Sequence, residues 1–141
     1  MTEPQAFQDI ADNLSFLDDW EDRYRYLIEL GQALPRLTDA EKSPENKVNG
    51  CVSQVWLAAE SETQSEGVVL RYRGESDAMI VQGLVAILLA LYSGRPAREI
   101  AETDAIAMFD KLGLREHLTT QRSNGLVAMV NRIRSEGQAL A

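Results

Sequence analysis

The chain has 141 residues, 45% of them hydrophobic and 26% charged. That is enough for one domain with a core, residues 1–141, and too balanced for a disordered segment. Its 22 acidic side chains outnumber 14 Lys and Arg, giving a net charge of -8. Such a balance excludes nucleic acid and anionic membranes as main partners, because both reward clustered positive charge.

In chain order, Phe7, Ile10, Ala11 and Leu14 fall at helical spacing on one face. Asp18 or Asp19 can cap a second helix, with Glu21 and Asp22 favoured at its positive end. Tyr24, Leu27 and Ile28 line the inner face of that helix. Gly31 ends or weakens it, and Pro35 stops it. Thr38 to Asn49 is polar and reads as loop. Asn49-Gly50 is a turn pair, since both residue types tolerate positive φ.

The period then changes. Val52 to Ala58 has the β-branched and aromatic content of a strand. Glu60 to Gly67 reads as a turn, and Val68 to Arg73 alternates as a second, antiparallel strand that Gly74 ends. Trp56 and Tyr72 read as core. Ser76 or Asp77 caps the next helix. Its apolar run, Met79 to Tyr92, is broken by Gln82 and Gly83 and is shorter than the ~20 residues of a membrane span. Being apolar nearly all round, it reads as a central buried helix, closed by Gly94 and Pro96. Short helices are expected over Pro96–Ala101 and Thr103–Lys111. A last helix is expected from about Ser123, with Leu126, Met129, Val130 and Ile133 buried. A small antiparallel sheet packed against several helices is an α+β fold.

Cys51 is the single cysteine. It cannot form an internal disulfide, nor alone hold a zinc ion or an iron–sulfur cluster, which take about four ligands. A lone cysteine and no basic-then-apolar opening segment point to a reducing cytosol. Placed after Asn49-Gly50, Cys51 reads two ways: as a nucleophilic thiol presented by a turn, or as a structural cysteine packed beneath it. Lys47 is close enough in sequence to favour a thiolate. His117 is the only histidine, and it reads as a hydrogen-bonding residue near a helix end more than as half of a Cys–His pair. No phosphate-loop pattern and no lysine in a pyridoxal-phosphate context is found.

Asn49-Gly50-Cys51 followed by Ser53-Gln54-Val55-Trp56-Leu57 resembles the SufE family of sulfur-acceptor proteins. Further resemblance lies in Tyr24–Gly31, in Gly74-Glu75-Ser76-Asp77 leading to Ile80–Leu84, in His117-Leu118-Thr119 and in Arg122–Leu126. Thr120 and Gln121 stand where many members carry Pro and Ser. The resemblance implies an α+β fold similar to IscU-type scaffolds. It implies that Cys51 takes sulfane sulfur as a persulfide from a pyridoxal-phosphate-dependent cysteine desulfurase, of the SufS or CsdA type. It implies that uptake stimulates that enzyme, and that the sulfur passes to a cluster scaffold in the cytoplasm. The chain itself would need no cofactor or metal and would not be a stand-alone enzyme. Surroundings that lower the thiol pKa, and an apolar hollow lined by Val48, Val52 and the central helix, would suit such a carrier.

Asn49 and Gly50 shape the turn on this reading. Arg122 contacts the desulfurase or orients the Cys51 turn, or else forms a surface pair. Glu75 and Asp77 are partner contacts, or else carboxylates at a helix N-terminus. Two other functions compete: a stand-alone one-cysteine redox protein, and a non-catalytic adaptor in which Cys51 is structural. Cys51 is expected to lie partly or wholly buried at the tip of a mobile loop.

Overall fold

A computed structural model describes residues 3–141. Met1 and Thr2, the start of the segment read as lacking a leader, lie outside them. Helix α1 (Gln5–Ser15) buries Phe7, Ile10 and Leu14. Helix α2 (Trp20–Gln32) starts at Asp19, whose carboxylate accepts the Glu21 N–H. Gly31 does not end this helix. It is buried within it, because a Cβ there would lie 2.8 Å from Gln82 Cγ and 2.9 Å from Gly83 N.

Strands β1 (Val55–Gln64) and β2 (Gly67–Ser76) pair antiparallel, with Val55 opposite Ser76 and Gln64 opposite Gly67. Most of the stretch expected to turn is therefore strand. Residues 59–64 are exposed on both faces, so their polarity marks solvent and not a reversal. The reversal is confined to Ser65-Glu66, with Gly67 at φ +124°. Gly74 lies inside β2, where a side chain would meet Val85 Cγ1 at 2.7 Å. A third strand, β3 (Arg95–Pro96), pairs with Val69 and Leu70 and completes the order β1-β2-β3. Two residues carry no periodic signal, so β3 was not legible beforehand.

Helix α3 (Met79–Tyr92) packs on the sheet and on α2 and is buried along most of its length. Leu84, Ile87, Leu88 and Leu91 are completely buried, each worth about 1.5–3 kcal/mol relative to exposure. Met79 departs from the expected apolar face and is 65% exposed. Neither Ser76 nor Asp77 is the N-cap residue of α3, which is Ala78 with no side-chain cap. Gln82 Oε1 instead accepts the Ser76 N–H from within the first turn.

Helices α4 (Ala97–Glu102) and α5 (Ala105–Lys111) follow, close to the expected bounds. Helix α6 (Thr120–Leu140) begins three residues before Ser123, because Thr119 accepts the Arg122 N–H and caps it. It buries Leu126, Met129, Val130 and Ile133 as expected. The result is an α+β fold of one three-stranded antiparallel sheet and six α-helices among the described residues.

Candidate functional site

The segment before β1 folds back along it. The Val48 N–H donates to Val55 O at 2.8 Å, and the Leu57 N–H donates to Asn46 O at 2.9 Å. These bonds close the entrance of a loop whose tip is residues 49–53. Only Gly50 of the turn pair takes positive φ, at +93°; Asn49 stays exposed with negative φ. A Cβ at Gly50 would stand 3.2 Å from Ala128 Cβ, so the turn lies close over α6. At the exit, the Gln54 N–H donates to Asp77 Oδ1 at 3.0 Å, and the Asp77 N–H donates to Gln54 O at 3.2 Å.

This path lays the Cys51 thiol against α6. Cys51 is half-buried, and its Sγ lies 3.5 Å from Gly125 O, close enough for the S–H to donate there. A methyl on Gly125 would stand 3.4 Å from that sulfur, in ordinary contact, so the thiol packs directly on the helix backbone. Beside the thiol is a hollow of about 220 Å³. Val52 and Ser53 line it from the loop, Val81 from α3, and Thr119, Arg122 and Met129 from α6 and its cap. Val52 is itself 74% exposed.

Burial pushes the Cys51 thiol above its ordinary pKa. The expected lowering is not found, because a half-buried sulfur loses hydration that a thiolate needs. Lys47 does not line the hollow; it forms a backbone bridge to Trp56. Val48 does not line it either, being buried in the core.

Arg122 sits in the first turn of α6, half-buried on the rim of the hollow. Its guanidinium has no ion pair or hydrogen bond among the described residues. Glu75 is not at this site. Its buried carboxylate accepts the Leu37 N–H at 2.9 Å and meets Lys42 Nζ at 2.7 Å. Burial works to raise its pKa, but the Lys42 and Leu37 hydrogen bonds and the charges of Lys42 and Arg36 outweigh it and hold it below the usual range. Neither Glu75 nor Asp77 is a first-turn carboxylate of α3: Glu75 belongs to β2, and Asp77 turns back to latch the loop.

His117 stacks on Trp20 with ring centroids 3.6 Å apart, and its carbonyl accepts the Tyr24 hydroxyl. It does not line the hollow, so no Cys–His pair forms. Tyr72 is core, whereas Trp56 is only half-buried, with the Lys42 ammonium 5.7 Å from its ring centroid. Among the described residues, no group of three or more His, Cys, Asp and Glu is placed to hold a metal. Sequence reasoning gave no site role to Thr119, Gly125 or Met129. Their signal was the spacing Arg122, Gly125, Met129, which marks one face of a helix.

The family model described as "SufE: Fe-S metabolism associated domain" matches residues 8–137. The chain belongs to the SufE family. A SufE-like protein of Rhizobium etli, itself uncharacterised, is 56% identical over 136 residues, covering 96% of this chain and 92% of its own. One of Rhizobium meliloti, also uncharacterised, is 52% identical over 133 residues, covering 94% and 95%. Among solved structures, that of a hypothetical protein from Thermus thermophilus superposes with a TM-score of 0.76. It covers 99% of this chain and 98% of its own at 19% identity, a likeness of fold. Membership of the SufE family associates the chain with iron–sulfur metabolism. No helix among the described residues is long and apolar enough to cross a membrane.

Proposed function

We propose that this SufE-family chain, acting as one domain, carries sulfane sulfur on Cys51. A pyridoxal-phosphate-dependent cysteine desulfurase would supply the sulfur, and a cluster scaffold would receive it in the cytoplasm. The observation that carries the reading is the lone thiol itself. It is seated on a short loop beside a hollow rimmed by the uncommitted Arg122.

The transfer is a thiol–disulfide-type exchange. The Cys51 thiolate attacks the outer sulfur of the desulfurase persulfide. A new S–S bond forms on Cys51 Sγ, the old S–S bond breaks, and the desulfurase cysteine leaves as thiolate. The outer sulfur keeps its oxidation state, and no external oxidant or reductant is needed. Clearing the persulfide frees the desulfurase for another turnover, which is how the carrier would stimulate it.

The thiol's seat explains both halves of such a cycle. At rest, burial and the Gly125 carbonyl favour the neutral thiol, which is a poor nucleophile. Reaction is favoured once the loop tip leaves the hollow and Cys51 regains the ordinary pKa of about 8.5 or meets a cationic partner site. On return, the hollow has room for one added sulfur, and Arg122 on its rim suits a perthiolate. A peroxide-reducing thiol enzyme needs a thiolate at rest, so the raised Cys51 pKa weighs against that alternative.

The test is intact-protein mass spectrometry after incubation with a cysteine desulfurase, pyridoxal phosphate and cysteine. Wild type should gain one sulfur atom and Cys51→Ser none, and Cys51→Ser should fail to stimulate the desulfurase while still binding it. A Cys51→Ser variant that stimulates normally would establish the adaptor reading instead.

A further inference from the structure

The stem that enters the Cys51 loop is held from two sides. Carbonyl and amide groups of Asn46 and Val48 face β1, through the bonds to Leu57 and Val55. The alternate carbonyls, Glu45 O and Lys47 O, face α6. There a single guanidinium takes both: Arg132 Nη2 donates to Glu45 O and Nη1 to Lys47 O, each at 2.7 Å. Arg132 Nε lies 3.9 Å from Glu136 Oε2, and Glu136 Oε1 accepts the Tyr72 hydroxyl at 3.1 Å. The clamp is thereby tied to β2. Two carbonyls held by one planar fork is an arrangement lysine cannot reproduce.

Beyond the stem the loop lacks backbone ties. Residues 49–53 make no backbone–backbone hydrogen bond among the described residues, and they rest on α6 by packing, Cys51 against Gly125 and Gly50 beside Ala128. Arg132 is seven residues after Gly125, two turns along the same face and about 10 Å away. One helix thus supplies both the seat of the thiol and the anchor of its stem.

We propose that Arg132 is a positioning residue for sulfur transfer, resting on the reading of Cys51 as the acceptor. It fixes residues 45–48 so that only the five-residue tip and its exit move. A short tip on a fixed stem delivers the thiol to few places. Freeing the stem lengthens the mobile segment, multiplies the positions the thiol can occupy and lowers the fraction aligned for attack.

The experiment compares wild type, Arg132→Met and Arg132→Lys, all well below their unfolding transitions. It reads amide hydrogen exchange, iodoacetamide alkylation of Cys51, and sulfur uptake from a persulfide-loaded cysteine desulfurase. Arg132→Met should speed exchange at residues 45–54 alone and raise the alkylation rate about fivefold, while slowing sulfur uptake by a similar factor. Arg132→Lys, able to reach one carbonyl, should fall between. The split between faster alkylation and slower transfer is the signature of positioning. Exchange that speeds up evenly across α3 and the sheet would overturn it, showing a merely structural role. Alkylation and uptake both unchanged in Arg132→Met would overturn it as well. Wild type that takes up no sulfur would defeat the acceptor reading, and with it Arg132's role in transfer, while alkylation and exchange still reported whether Arg132 pins the stem.

Discussion

Gly83→Ala tests whether the contact of α2 with α3 holds the fold, and with it the helix that supplies Val81 to the hollow. A Cβ at Gly83 would stand 2.3 Å from Leu27 O and 2.8 Å from Leu27 C. Comfortable carbon contacts begin at about 3.5 Å, so the two helix backbones must part by about 1 Å. Such a gap forfeits roughly a quarter to a half of the attraction of each atom pair across it. Overpacking costs about 1–3 kcal/mol in general, and a rigid backbone carbonyl as the obstacle puts this case at the upper end. Alanine's better helix propensity offsets about 1 kcal/mol. The net loss is about 2 kcal/mol, or a fall in Tm of about 8 °C for a chain of this size. Gly125→Ala is the control. Its methyl would lie 3.4 Å from Cys51 Sγ, an ordinary contact, so only the propensity gain remains and stability should hold or rise by up to about 1 kcal/mol. Thermal and urea unfolding followed by circular dichroism reads both. The reasoning is refuted if Gly83→Ala melts with wild type, or if the two variants shift in the same direction.

Three further sets of outcomes concern Cys51, Glu75 and Asp77. The pH profile of Cys51 alkylation in the folded protein should lie above that of the same chain in urea; a profile at or below it would contradict the burial argument. Because the folded pKa is raised, this thiol's contribution to stability is fully present below the unfolded value of about 8.5 and is lost as pH rises through the folded one, a loss Cys51→Ser should lack. Glu75→Gln should cost about 1–2 kcal/mol at pH 7, below the about 3–5 kcal/mol of a fully buried pair because Lys42 can turn toward water. The lowered Glu75 pKa means its contribution is present above the unfolded value of about 4.3 and lost as pH falls through the folded one, so the urea midpoints of variant and wild type should converge as the pH is lowered. Asp77→Ala removes the acceptor for the Gln54 N–H and should speed amide exchange at residues 49–54 while leaving β2 protected; unchanged exchange would show that the latch does not restrain the loop.

Much of this was legible because each helix announces itself within its own residues. Asp19 before Glu21 and Asp22, and the apolar run of α3, are local signals, and the structure agrees with both. The errors lie where a tertiary partner overrides a local rule. Gly31 and Gly74 look like terminators in isolation, yet each sits within an element because a neighbour leaves no room for a side chain. Asp77 looks like a helix cap until the Gln54 N–H, 23 residues away, claims its carboxylate. At the site, Cys51 and Arg122 stand out by residue type and by resemblance, and the hollow unites them. Glu75 lay in a separate stretch of the same resemblance but faces the Leu37–Lys42 segment, a contact no spacing announces. The sign of the Cys51 shift was also out of reach, since it depends on how much of the sulfur α6 covers.

The ribbon of β1 and β2 has a practical consequence. β1 starts beside the Cys51 loop and runs ten residues to the Ser65-Glu66 reversal, which puts that reversal about 30 Å from the thiol. The outer half of β1 is exposed on both faces, whereas β2 opposite it buries Val69 and Leu70. An affinity handle or fluorophore inserted at Ser65-Glu66 would therefore immobilise or report on the protein with the sulfur-bearing end facing outward. Docking could then be followed on a surface or by energy transfer without adding a second cysteine to a chain whose proposed chemistry rests on one.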